Sequence, residues 1–244
     1  MANGIEVARP APHVAEIAIA SPPSNAMGDG VRPHLIGAFR ALDADTDIRA
    51  VILTGRGRMF TAGDDLREIP SRGARMAASL AEFQVLFNLV AGLRAPVIGA
   101  INGPAFGGGL ELALCCDIRI AGASARFAAS GVNTGLMASV ERLPRLIGPA
   151  RAKSMLLTGQ PIDAAAALAF GLVTAVHADD ALAAAALALA THIAGRAPLS
   201  VEAAKRNVDG RGAPDDLGLL TVSADHREAI AAFLEKRDPV FTRS

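Results

Sequence analysis

Hydrophobic and polar positions divide the chain into alternating short apolar runs and helical stretches. Residues 14–20 (VAEIAIA) alternate and then run apolar, which predicts a strand that the paired prolines of SPPSNAMG end. Val31, Leu35, Ile36, Phe39 and Leu42 recur at helical spacing, so 31–42 reads as a helix closed by DADTD. Residues 50–54 (AVILT) form a continuous apolar run between turn signals, as in a strand buried on both faces. Gly55 and Gly57 open a loop, 59–62 reads as a short strand, and Asp64-Asp65-Leu66 as the start of a helical turn. A long helical pattern follows over 76–93, carried by Leu80, Phe83, Leu86, Phe87 and Val90.

The stretch 96–120, PVIGAINGPAFGGGLELALCCDIRI, organises the rest. It reads as a buried strand over Val97–Ile101, a turn built on Gly103, Gly107, Gly108 and Gly109, and a helix carrying Glu111. Consecutive glycines let a backbone bend sharply and approach a ligand closely. Beyond it, 118–121 is strand-like and 125–135 (ARFAASGVNTG) is a small-residue loop. Short helices over 142–147, 151–157 and 164–170 precede a last strand at 173–176. Helices over 179–196, 200–209 and 217–235 complete the chain. Strand and helix alternate to about residue 176, which argues for an α/β fold with right-handed crossovers and a helical C-terminal region. Residues 1–194 are expected to form the core and 195–244 a helical oligomerisation region.

Composition adds exclusions. In 244 residues, 51% are hydrophobic, enough for a sizeable core, and 24 Lys and Arg balance 24 Asp and Glu. That balance leaves no electrostatic footprint for nucleic acid or an acidic membrane. The two cysteines, Cys115 and Cys116, are adjacent and read as small core residues rather than a disulfide or metal pair. The N-terminal MANGIEVARPAPHV shows no secretory pattern, and the Ala/Leu run over 179–194 is too short for a membrane span. The expectation is a soluble, cytoplasmic protein. His13, His34, His177, His192 and His226 share no spacing that suggests a site.

Two stretches carry candidate chemistry. Unpaired N–H groups at the start of the Glu111 helix would stabilise an oxygen that gains negative charge. AGDDL, some 45 residues earlier, is a second glycine turn before a helix. Two N–H groups from two such turns, converging on one oxygen, make an oxyanion hole. The plainer alternatives stay open: AGDDL as a capped helix start, and Glu111 as an acid favoured in a first helical turn.

TGRGRMFTAGDDLREI, PVIGAINGPAFGGGLELALCCDIRIA, RLPRLIGPARAKSMLLTG and FLEKRDPVF stand in an order and spacing that resemble the crotonase (enoyl-CoA hydratase/isomerase) superfamily. The resemblance implies a spiral of ββα units with a C-terminal helical region, assembled as a trimer or a dimer of trimers. It implies an acyl-CoA thioester substrate, with coenzyme A arriving as part of it and no separate cofactor or metal. By motif match, the thioester oxygen would be held by the main-chain N–H groups of Asp64 and Gly108, with the Asp64 carboxylate turned away. Ala62, Asp65, Leu66 and Arg67 match the stretch lining coenzyme A, and Lys236 falls in the segment near its nucleotide. Arg67 reads equally as an exposed helix arginine.

Glu111 matches the first of the two glutamates that hydratases of this family use. The second, typically in a pattern like FGxPE, falls here on Gly131 of FAASG, and the loop before RLPRLIG is shortened. Three readings follow. A hydratase could use Glu111 alone, with Ser130, Asn133 or Thr134 positioning water. An isomerase needs only one base. A non-catalytic acyl-CoA binder needs none. Glu141 could be a replacement acid or an arginine-paired surface residue.

Overall fold

The computed structural model describes residues 4–244; Met1, Ala2 and Asn3, the start of the stretch read above for a signal, lie outside the described residues. An N-terminal hairpin, β1 (Ile5–Ala11) with β2 (Val14–Ile19), leads into α1 (Arg32–Ala44) and β3 (Ala50–Gly55). Then come α2 (Ile69–Arg72), α3 (Met76–Gly92), β4 (Val97–Ile101), β5 (Ala105–Phe106) and α4 (Gly108–Leu114). β6 (Ile118–Gly122) and β7 (Arg126–Ala128) precede α5 (Arg142–Ile147), α6 (Pro149–Thr158), β8 (Ile162–Asp163), α7 (Ala164–Phe170) and β9 (Ala175–His177). The chain closes with α8 (Leu182–Ala194), α9 (Pro198–Val208), α10 (Asp216–Thr221) and α11 (Ala224–Glu235).

The larger sheet runs β1-β2-β3-β4-β6-β9, parallel from β2 onward. The smaller runs β5-β7-β8, and Thr61 bridges Ala105 at its margin. Each turn of chain therefore gives one strand to the large sheet and one short extended piece to the small sheet before a helix. β4, β5 and α4 are one such unit, and β6, β7 and α5 the next. This is the ββα spiral that the family resemblance implies.

Parallel strands need cover on both faces. On one face α1 buries Leu35, Ile36, Phe39 and Leu42, and α3 buries Phe83, Leu86, Phe87 and Val90. On the other, α8 lays Leu182, Ala186, Ala190 and Ala194 against Ile52, Ile98, Ala100 and Ile120. The four-residue spacing puts these small side chains on one stripe, so the helix sits close to the sheet. Each fully buried Leu or Phe contributes about 1.5–3 kcal/mol, so these two layers dominate stability. Among the described residues no single helix is long and apolar enough to cross a membrane.

Several expectations need correction. Residues 59–62 do not form a full strand: Thr61 alone bridges Ala105, and the Met59 carbonyl is taken by Asn25 Nδ2 at 2.7 Å. Asp64–Leu66 does not open a helix, which starts only at Ile69; Asp65 instead accepts from the Arg67 N–H at 3.0 Å, a local turn that competes with helix. Residues 125–135 hold β7 and a 3₁₀ turn, Ser130–Thr134, rather than a plain loop. β9 begins at Ala175 because Leu172 and Val173 donate back to Ala167 O. The helix expected over 217–235 is two: Ser223 adopts an extended backbone and its hydroxyl accepts from His226 N at 3.0 Å, capping a new helix.

Candidate active site

Two backbone amides meet at the end of β5. Gly63 has φ +89°, and a Cβ there would lie 2.7 Å from Gly108 N and 2.9 Å from Phe106 O. Only glycine fits, because the position needs a left-handed backbone and has no room for a side chain. A Cβ on Gly108 would lie 3.4 Å from Gly63 Cα and 3.7 Å from Asp64 N. The AGDD turn and the glycine triplet are thus in contact, as the two-turn reading of the sequence requires.

The peptide planes aim the donors. Gly63 O accepts from Met27 N at 2.7 Å, so the N–H of Asp64, on the opposite side of that planar trans peptide, points away from the α1 entry loop. Gly107 O accepts from Glu111 N at 3.1 Å, so the Gly108 N–H points out of the first turn of α4. Neither N–H has an acceptor among the described residues.

The Asp64 carboxylate turns to Arg72, whose Nη1 and Nη2 lie 2.5 and 2.8 Å from it. Arg72 is fully buried and also meets Glu68 at 2.9 Å and Asp29 at 3.0 Å. Arg32, buried against the Phe83 ring, joins Asp29 and Glu82. Burial pushes the Asp29 carboxyl up, but Arg32 and Arg72 outweigh it and hold it below the usual carboxylate range. This cluster pins the loop that presents the Asp64 N–H and draws its negative side chain off the site.

Glu111 lies in the first turn of α4 and is buried, with 6% of its surface exposed. Its Oε1 accepts from Arg142 Nη1 at 2.5 Å, while Oε2 is buried with no partner among the described residues. The expectation for Glu141 is corrected here: Arg142 pairs with Glu111, and Glu141 is an exposed residue at the cavity edge. A cavity of about 520 Å³ adjoins both amides and Glu111. Leu80, Phe83, Phe87, Leu136, Met137 and Val140 give it an apolar wall.

Gly131 also lines the cavity, and the following loop is folded against it. A Cβ there would lie 2.9 Å from Leu136 O and 3.3 Å from Ala138 N, so backbone occupies the direction a side chain would take. Thr134 donates to Gly131 O at 2.9 Å, and Asn133 packs against Gly159 rather than lining the cavity.

Of the remaining predicted contacts, Ala62, Asp64, Leu66 and Gly108 line the cavity, and Asp65, Arg67 and Lys236 do not. Arg67 is exposed and holds Asp65 through a two-point pair at 2.9 and 2.7 Å. That pair keeps the Asp65 carboxyl below its usual range. Lys236 is exposed in the left-handed turn that ends α11. Arg72, Arg32 and Met27 are not legible in the sequence, because their roles depend on partners 8 to 50 residues away, and Ser139 is not, because no motif marks it. Arg142 was visible in RLPRLIG only as part of a motif.

The family model described as enoyl-CoA hydratase/isomerase matches residues 11–244. A Mycobacterium bovis protein named "Probable enoyl-CoA hydratase echA12" is 37% identical over 97% of this chain and 92% of its own length. The (E)-benzylidenesuccinyl-CoA hydratase of Thauera aromatica is 38% identical over 94% of this chain and 95% of its own. The crystal structure of an enoyl-CoA hydratase from Bacillus anthracis superposes with a TM-score of 0.92 at 32% identity, covering 99% of this chain and 100% of that one.

Proposed function

The chain belongs to the enoyl-CoA hydratase/isomerase family, and from that premise we propose that it adds water across the double bond of a 2-enoyl-CoA, with Glu111 as its single acid/base. The observation that supports this most is one conjunction. Two backbone N–H groups, from Asp64 and Gly108, stand beside a buried carboxylate, and neither the N–H groups nor one carboxylate oxygen has a partner among the described residues.

In this reading the thioester oxygen accepts from both N–H groups, and the apolar wall takes the acyl chain. Glu111 Oε2 removes a proton from water as its oxygen bonds to C3. The C2=C3 electron pair moves toward C1, and the thioester oxygen gains negative charge against the two N–H groups. Such preorganised donors are worth about 10²–10³-fold in rate each. The proton on Glu111 then passes to C2, so hydrogen and hydroxyl add across the former double bond and the carboxylate is restored.

Ala62 and Leu66 are assigned to the pantetheine arm, with Asp65 beside it. Arg67 and Lys236 are the exposed cations assigned to phosphates. Coenzyme A comes as part of the substrate, and no step requires another cofactor. Position 131 is assigned to the missing second carboxylate. A single base favours a second reading, movement of a double bond from C3=C4 to C2=C3, in which Glu111 takes a proton from C2 and returns it to C4 and no water is needed.

Residues 195–244 are assigned to self-association as a trimer or a dimer of trimers. Leu217, Phe233 and Leu234, on α10 and α11, are 77%, 80% and 73% exposed, which a lone chain leaves uncovered. A panel of enoyl-CoA substrates differing in length and double-bond position, with products identified by mass spectrometry, tests the function. Formation of 3-hydroxyacyl-CoA is expected; binding without turnover across the panel overturns the reading.

A further inference from the structure

Five buried side-chain polar atoms lack a partner among the described residues, and the two that are oxygens, Glu111 Oε2 and Ser139 Oγ, belong to residues lining the same cavity. The other three are the Nε atoms of Arg49, Arg72 and Arg94, whose guanidinium groups are engaged through other nitrogens. A buried hydroxyl with nothing to bond is costly, so native proteins almost always satisfy it.

Ser139 is unusual in a second way. Its backbone has φ +62°, the left-handed region, where glycine is at ease and serine is not. Its main-chain carbonyl accepts from Leu143 N at 3.2 Å and so helps start α5, a task any residue performs. Glycine would meet every backbone requirement there. The hydroxyl thus has no partner among the described residues, and the backbone would be better without it.

Several other polar side chains at the cavity have partners, while half-buried Ser130 and exposed Glu141 line it with no side-chain hydrogen bond among the described residues. Arg142 is taken by Glu111, Thr134 by Gly131 O, and Gln84 by Asn88. The backbone of 136–138 closes over Gly131, so the direction a side chain at 131 would take is filled.

We propose that Ser139 is a catalytic residue that supplies the second hydrogen bond to the water activated by Glu111. The inference rests on the hydration reading above. The water donates one O–H to Glu111 Oε2 and the other to Ser139 Oγ. Both of its hydrogens are then held, which leaves a lone pair directed at C3 of the substrate. Only the Glu111 proton moves; Ser139 keeps its own. The loop over 136–139 thereby does with a hydroxyl what a carboxylate at position 131 cannot do.

The test compares hydration of crotonyl-CoA with a reaction of the same site that uses no added water. That reaction is exchange of the C2 protons of butyryl-CoA in D2O, followed by NMR, which needs Glu111 and the oxyanion hole alone. Ser139→Ala and Ser139→Gly are expected to lower kcat for hydration by about 10²-fold, the cost of a misplaced reactant. Exchange should fall far less. Ser139→Gly should melt no lower than wild type, since it removes the left-handed serine, and this separates lost chemistry from lost fold. Hydration retained in Ser139→Gly overturns the proposal, as does an equal loss of both reactions in the two variants. Exchange without hydration in the wild type overturns this inference and leaves the acyl-CoA site standing. Absence of both reactions in the wild type overturns the two together.

Discussion

Arg142 and Glu111 are bound at 2.5 Å through one carboxylate oxygen, and the other oxygen is buried without a partner among the described residues. The arginine comes from the start of α5 and the glutamate from the first turn of α4, so the pair joins two successive units of the spiral. It leaves Oε2 as the oxygen that would carry the proton in the proposed reaction and offsets the cost of a buried negative charge. A charge-assisted bond of this kind is worth about 1.5–3 kcal/mol.

Arg142→Gln is therefore expected to lose about that stability and to lower kcat more than it raises KM, because Glu111 is no longer held. Arg142→Lys, which keeps the charge, should recover part of both. Steady-state kinetics with thermal melts of the two variants check this. Equal kinetics in Gln and Lys variants would mean that charge plays no part.

Placing a carboxylate at position 131 by Gly131→Glu, the position proposed for a missing second acid, is expected to fail. The new Cβ would lie 2.9 Å from Leu136 O, closer than carbon and oxygen tolerate without movement. The strain of such overpacking costs about 1–3 kcal/mol. A lower melting temperature with no gain in hydration rate is predicted. A faster enzyme with unchanged stability would show that the loop yields freely.

Long apolar periodicities were legible in the sequence because they are local. β4 was read to its exact ends, and α3 to within a residue, from patterns that 17 residues can hold. The pairings of β5, β7 and β8 were not, since strands of two or three residues carry no periodicity and depend on distant partners. The glycine triplet and AGDDL were visible as turns, and their contact was reached through the two-turn argument and the family resemblance. The orientation of the amides was hidden, because it depends on Met27 binding Gly63 O across 36 residues of chain. Glu111 was visible as an acid, but its pairing with Arg142, 31 residues away, was not.

The exposed side chains Leu217, Phe233 and Leu234 yield a prediction about assembly. Sedimentation velocity on the full chain is expected to show an oligomer, and replacing Phe233 and Leu234 together by Asp should shift it toward monomer. A monomeric wild type at micromolar concentration would contradict the assignment of the C-terminal helices.

The paired cysteines are predicted to be inert in the folded protein. Burial pushes the Cys116 thiol up to about 12 and Cys115 still higher. Because the thiolate is the reactive form, a raised thiol value means less of it at neutral pH. Neither should react with a thiol reagent at pH 8 until denaturant is added, when both should react. Rapid modification of the native protein would contradict their burial.

The central claim is that Glu111 is the one acid/base beside a backbone oxyanion hole. It is tested most directly by crotonyl-CoA hydration and calorimetric crotonyl-CoA binding measured side by side for wild type and Glu111→Gln. The variant keeps the shape of the side chain and loses its proton transfer, so binding should survive while kcat falls by about 10²–10⁴-fold. Turnover unchanged in Glu111→Gln would contradict the account.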